Sequence, residues 1–147
     1  MLRTGFLQLF LLPAFMSGLF AQTSTNEITL KSVKTYAWAD STKPAKDPFW
    51  NDQILGIVDR VLAGKGLKRV DLSANPDAVA LYSLTVDNDV FYIGWEARLR
   101  VDIRDPSRKT SLWHADSSDI LYDKSHKNVG KLEKMIEKMF RSYPRLA

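Results

Sequence analysis

The chain has 147 residues, a formal net charge of +4 and no cysteine, which leaves room for one domain and a short targeting segment and rules out disulfide staples. Its basic residues are scattered, with no lysine or arginine block to track a phosphate backbone, so nucleic acid is not an expected partner. A bacterial lipid anchor is built on a cysteine just after the signal sequence, so lipid anchoring is not expected either.

At the amino terminus, Met1-Leu2-Arg3 carries one positive charge, and the run from Phe6 to Phe20 carries none. That run is shorter than the ~20 apolar residues of a membrane-spanning helix, and Pro13 interrupts it. Small residues follow, and Ala21 stands where cleavage would occur, so residues 1–21 read as a signal peptide. The expected mature protein is a single α+β domain, residues 22–147, released to the periplasm or medium with no transmembrane segment and no lipid anchor.

Within that domain, Lys31 to Ala39 reads as a strand with Lys34, Tyr36 and Trp38 on one side. Asp40 to Lys46 is a polar loop. Asp47-Pro48 then opens a helix, the carboxylate serving orphan amides and the proline fitting the first helical position. Trp50, Ile54, Ile57, Val58, Val61 and Leu62 recur at helical spacing, and Gly64 and Gly66 end the element. Leu67 to Leu72 reads as a short strand. Ala78 to Val86 is a longer one, apolar on both faces and so expected in the middle of a sheet. After a turn at Asp87-Asn88-Asp89, the residues Ile93, Trp95, Ala97, Leu99, Val101 and Ile103 alternate with Gly94, Glu96, Arg98, Arg100, Asp102 and Arg104. This alternation predicts a strand with one buried and one charged face. A turn over Asp105 to Lys109 returns the chain as a last strand, Thr110 to Ile120. Val129, Leu132, Ile136, Met139, Phe140 and Tyr143 then form the apolar stripe of a second helix, which Pro144 stops.

These elements predict a two-layer α+β sandwich, an about five-stranded, mostly antiparallel sheet with two helices packed on one face. The expected core includes Trp95, Leu99, Val101, Trp113, Ile54, Val58, Leu132 and Ile136. For the last hairpin, a loop centred on Ser107 sets Val101 opposite Trp113, Arg98 opposite Asp116 and Arg100 opposite His114. Arg98, Arg100 and Arg104 would then form a basic, solvated patch on the open face, with Arg100 lacking an anionic partner.

Six segments together resemble one known family. They are Lys34-Thr35-Tyr36-Ala37-Trp38-Ala39, Lys65-Gly66-Leu67-Lys68-Arg69-Val70 and Asn75-Pro76-Asp77-Ala78-Val79-Ala80, then Asp102 to Pro106, Leu112-Trp113 and Tyr143-Pro144. In order and spacing they resemble the bacterial envelope family known as domain of unknown function 4136, many of whose members are lipoproteins. This chain departs from that pattern by lacking the lipid-attachment cysteine, by a short connection where relatives carry a long glycine-rich one, and by His114 after the tryptophan. The resemblance implies a fold and a compartment, and no activity.

No set of residues reaches the geometry of a reaction. His114, Asp116 and Ser118 share a strand face, where residues two apart are separated by roughly 6.5–7 Å, too far for the successive hydrogen bonds of a triad. His114 and His126, with Asp116, Asp119 and Asp123 between them, lack the close pairing of a zinc site. Asp87-Asn88-Asp89 lacks the glycine and later glutamate of a calcium loop. Trp38, Trp95 and Trp113 fall in strands and read as core, whereas Trp50, in a first helical turn, is expected to be partly exposed as an aromatic contact for a ligand. The expected function is a non-catalytic module, without cofactor or metal, that binds a partner protein, glycan or lipid of the envelope. An anionic component would dock on Arg98, Arg100 and Arg104. The alternative is a hydrolytic enzyme with a site assembled around His114 and Asp116.

Overall fold

The computed structural model describes residues 29–41, 43–88, 95–121 and 126–146. Residues 29–32 are helical, so Lys31 and Ser32 leave the expected strand, because Leu30 and Val33 are buried at helical spacing and the Val33 amide donates to the Leu30 carbonyl. The first strand is therefore only Thr35–Trp38 (β1). The first helix, Pro48–Gly64 (α1), begins as the sequence indicates, with the Asp47 side chain accepting from the Phe49 amide at 3.0 Å and proline in the first turn. It buries Trp50, Ile54, Ile57, Val58 and Leu62.

The helix ends in a turn at Gly66, whose φ is 99°. A Cβ there would lie 3.1 Å from the Leu146 Cβ, so both backbone conformation and close approach call for glycine. The carboxy-terminal segment is held against this turn. The Leu146 amide donates to the Lys65 carbonyl, and Lys65 Nζ donates to the Tyr143 carbonyl, each at 2.9 Å. The strand expected from Leu67 shortens to Lys68–Arg69 (β2), because a 3₁₀ turn at Leu72–Ala74 and left-handed Asn75 redirect the chain.

Three long strands follow: Ala78–Asn88 (β3), Trp95–Arg104 (β4) and Ser111–Leu121 (β5). The sheet order is β2-β1-β3-β4-β5. β1 runs parallel to both of its neighbours, and β3, β4 and β5 are antiparallel. β3 takes the central place that its two apolar faces require. The second helix, His126–Met139 (α2), and a 3₁₀ turn at Phe140–Ser142 complete the described chain. The result is a mixed five-stranded sheet with helices on one face, an α+β sandwich.

The helix-facing layer contains Ala80, Tyr82, Leu99, Val101 and Ile103 from the sheet against Ile54, Val58, Leu132 and Ile136 from the helices, all nearly sealed from solvent. Met135 joins this layer, and Trp113 is only half buried. Of Trp95 only the backbone is described, so its expected core role lies outside the described side chains.

Two expectations for the open face are corrected. Asp102 is buried, at 6 % exposure, with Ser111 Oγ donating to one carboxylate oxygen at 2.6 Å and Arg104 Nε to the other at 2.9 Å. The β4–β5 register is also displaced by two residues. Val101 faces Ala115, Ile103 faces Trp113, Arg98 faces Ser118 and Arg100 faces Asp116. The hairpin loop is longer than one centred on Ser107. Asp105 closes it by donating its amide to the Thr110 carbonyl and accepting from the Thr110 amide, Arg108 takes a φ of 63°, and a bulge follows at Ile103/Arg104. A two-residue slide preserves which side chains face the core, so burial alone does not distinguish the registers.

Candidate functional site

The loop between β1 and α1 is fastened to the sheet at three points. The Leu84 amide donates to the Lys43 carbonyl at 2.8 Å, and Lys43 forms an isolated parallel bridge with Ser83. The Ala45 amide donates to the Tyr82 hydroxyl at 3.0 Å. That hydroxyl donates in turn to Asn51 Oδ1 on α1, and burial raises the tyrosine pKa above its ordinary value. One tyrosine thus ties loop, strand and helix together.

Beneath this loop lies a cavity of about 690 Å³, within the ~300–1,000 Å³ range of small-molecule sites. Its rim carries Lys43, Pro44, Lys46 and Val86, all exposed. Its floor is apolar and buried, with Ile54, Ala97 and Leu132 each 1 % exposed, and Trp50 and Leu121 only slightly more. Among the described residues no carboxylate lies within ion-pair distance of Lys43 or Lys46. Asp47, also at the rim, turns its carboxylate to the Phe49 amide as the cap of α1.

Trp50 therefore has a different place from the one expected. It is 8 % exposed rather than partly open, because the ring packs into the core as part of the cavity wall. Sequence reasoning missed the rest of the site. Lys43 and Lys46 sit in a loop with no periodicity, Leu84, Val86, Ala97 and Leu132 read as ordinary strand and helix positions, and Leu121 falls just past the last strand as read. The one usable signal was Trp50.

The three arginines are not a free basic patch. Arg100 lies 3.3 Å from Asp116, Arg98 lies 3.3 Å from Glu96, and Arg104 lies 2.9 Å from Asp102. The corrected register supplies Arg100 with the carboxylate it was expected to lack. His114, Asp116 and Ser118 are exposed on the same strand face, and Asp116 is engaged with Arg100. His126 opens α2, Asp119 accepts from the adjacent Ile120 amide, and Asp123 and Asp89 lie outside the described residues. Among the described residues no group of three or more His, Cys, Asp or Glu is placed to hold a metal ion. No described helix is long and apolar enough to cross a membrane.

Two further polar clusters join segments of the family pattern. Asp59 on α1 accepts from Tyr36 Oη at 2.5 Å, Trp38 Nε1 at 2.8 Å and Arg69 at 2.7 Å. Burial and then Asp59 push the Tyr36 pKa up. Asp77 accepts from the Lys34 and Thr35 amides, which together hold its carboxyl below the usual carboxylate range. Both clusters engage protein groups and hold β1 in place.

Residues 21–145 match the family described as Domain of unknown function (DUF4136). No curated protein matches the chain. Among solved structures, the fold is similar to the PelC dodecamer from Paraburkholderia phytofirmans, at 14 % identity and a TM-score of 0.56, with 80 % of this chain and 91 % of that one covered. A point variant of the same dodecamer gives a TM-score of 0.59 over the same shares. A PDZ domain protein from Parabacteroides distasonis is similar at 16 % identity and a TM-score of 0.57, covering 78 % of this chain and 32 % of that one. These likenesses establish the fold.

Proposed function

Because the chain belongs to the domain of unknown function 4136 family, we propose that it is an exported, non-catalytic binding module of the bacterial cell envelope, with the cavity under residues 43–47 as its ligand site. Export is supported by the charge-free run from Phe6 to Phe20 after a single arginine and by the small residues around Ala21. The observation that carries the binding role is the cavity itself: an apolar, buried floor beneath an exposed rim. A concave apolar site with a few convergent polar groups is the surface on which a small ligand gains most from leaving water. Loop 43–47 is already fixed to β3 and α1, so little ordering cost accompanies binding.

Titration with N-phenyl-1-naphthylamine, a neutral apolar fluorophore, tests this reading. Saturable binding at one site is expected, and Val86→Trp should remove it, because Val86 lies at the rim, 46 % exposed, where a larger ring can enter the cavity without disturbing the core. Absence of saturable binding, or binding that is indifferent to Val86→Trp in a variant that melts like the parent, contradicts it.

A further inference from the structure

We infer that the ligand is a single-chain amphiphile with an anionic head, its tail on the cavity floor and its head between Lys43 and Lys46. The inference rests on the cavity being the ligand site. Its first support is the separation of chemistry along the cavity. The floor residues Ile54, Ala97 and Leu132 are apolar and sealed, while both lysines are exposed at the rim with no ion-pair partner among the described residues. A wholly apolar ligand would leave the lysines unused, and a cationic head would meet two like charges. Asp47, the one acid on the rim among the described residues, is committed to the helix cap.

Volume limits long chains to one. At ~30 Å³ per methylene, close to the share of a water molecule in the liquid, one chain of ten to sixteen carbons fits within about 690 Å³. Two sixteen-carbon chains do not. Placement of the lysines adds the last argument. Lys43 is pinned by its carbonyl to the Leu84 amide, and Lys46 follows Ala45, itself bonded to Tyr82. Both stems therefore start from fixed backbone at the mouth, so gathering two charged ends on one head group orders the side chains but not the loop.

Isothermal titration with decanoate, decanol and decyltrimethylammonium, each below its micelle concentration, reads the head group directly. Decanoate is expected to bind about five-fold more tightly than decanol at low salt, with the cation weakest, and the preference should shrink as salt is raised. Each methylene added up to dodecanoate should tighten binding about three- to four-fold. Lys43→Gln with Lys46→Gln should make the three ligands equal while N-phenyl-1-naphthylamine still binds. Lys68→Gln with Arg141→Gln, which removes the same charge elsewhere, should leave the preference intact. Equal binding of decanoate and decanol, or a preference that survives loss of Lys43 and Lys46, overturns the anionic head while the cavity remains a binding site if the neutral probe still binds. If no ligand binds, neutral probe included, both readings fall together.

Discussion

Thr35 and Asp77 hold each other by reciprocal hydrogen bonds. Asp77 Oδ2 accepts from the Thr35 amide at 2.9 Å and from Thr35 Oγ1 at 3.0 Å, and the Asp77 amide donates to the same hydroxyl at 3.0 Å. The pair joins two segments of the family pattern that are far apart in sequence, and it sets β1 alongside β3 just where the parallel ladder begins at Tyr36 and Ala78. Left-handed Asn75 and buried Pro76 aim the carboxylate.

Asp77→Asn should therefore cost about 1 kcal/mol at neutral pH, since the carboxylate is exposed and only its charge-assisted component is lost. The Asp77 pKa is depressed in the folded protein, mainly by the Lys34 and Thr35 amides. Its contribution is thus fully present above the unfolded value of about 3.9 and disappears as pH falls through the folded value. Urea melts of parent and variant should differ at pH 7 and converge toward pH 3. A gap that is constant across this range contradicts the assignment.

Asp59 is the more demanding partner, because two of its donors come from buried or half-buried rings. Asp59→Ala strands Tyr36 Oη and Trp38 Nε1, and about 2–3 kcal/mol of stability should be lost. Tyr36→Phe alone should cost about 1 kcal/mol, and the double variant should cost less than the sum. Strict additivity in chemical denaturation would show that the three groups do not act together.

The sequence carried the layers of this fold further than its edges. Strict alternation from Ala97 to Ile103 and the stripe through Leu132 and Ile136 record burial directly, and those faces stand as read. Leu30 and Val33 did not show their helical turn, because a few residues satisfy either period. The hairpin register escaped because odd-to-odd pairing is conserved under a two-residue slide, and the left-handed Arg108 that lengthens the loop carries no glycine to mark it. The cavity was legible only as Trp50. Its lysines and its floor come together through β3, α1 and α2, and that convergence leaves no local trace.

Tyr143 offers a test with the opposite sign. Its hydroxyl is buried with no hydrogen-bond partner among the described residues, and burial raises its pKa to about 12. Tyr143→Phe should leave stability unchanged or raise it by up to about 1 kcal/mol, because an unpaired polar group is removed while Trp113 and Phe140 still pack on the ring. Because burial alone raises this pKa, the neutral hydroxyl carries no ionisation cost below the unfolded value of about 10, and stability falls as pH climbs from there toward 12, a fall that Tyr143→Phe should reduce. A marked loss of stability at neutral pH would reveal a partner for the hydroxyl.

Gly66→Ala meets strain and crowding together, φ of 99° and Leu146 at 3.1 Å. It should cost about 1–2 kcal/mol. Truncating Leu146 to alanine shortens that side chain yet leaves the Cβ contact and the φ in place, so it should not rescue the variant. Full rescue would mean that the turn relaxes freely.

An apolar ligand on the cavity floor changes the surroundings of the methyl groups that line it, and methyl NMR of the isotopically labelled protein, titrated with decanoate, reads that change. The Ile54, Leu84, Val86, Leu121 and Leu132 methyl signals should shift together with one dissociation constant, while Ile57 and Val79, buried outside the cavity, stay in place. Shifts confined to the open sheet face, or no saturable shift at any floor methyl, would contradict it.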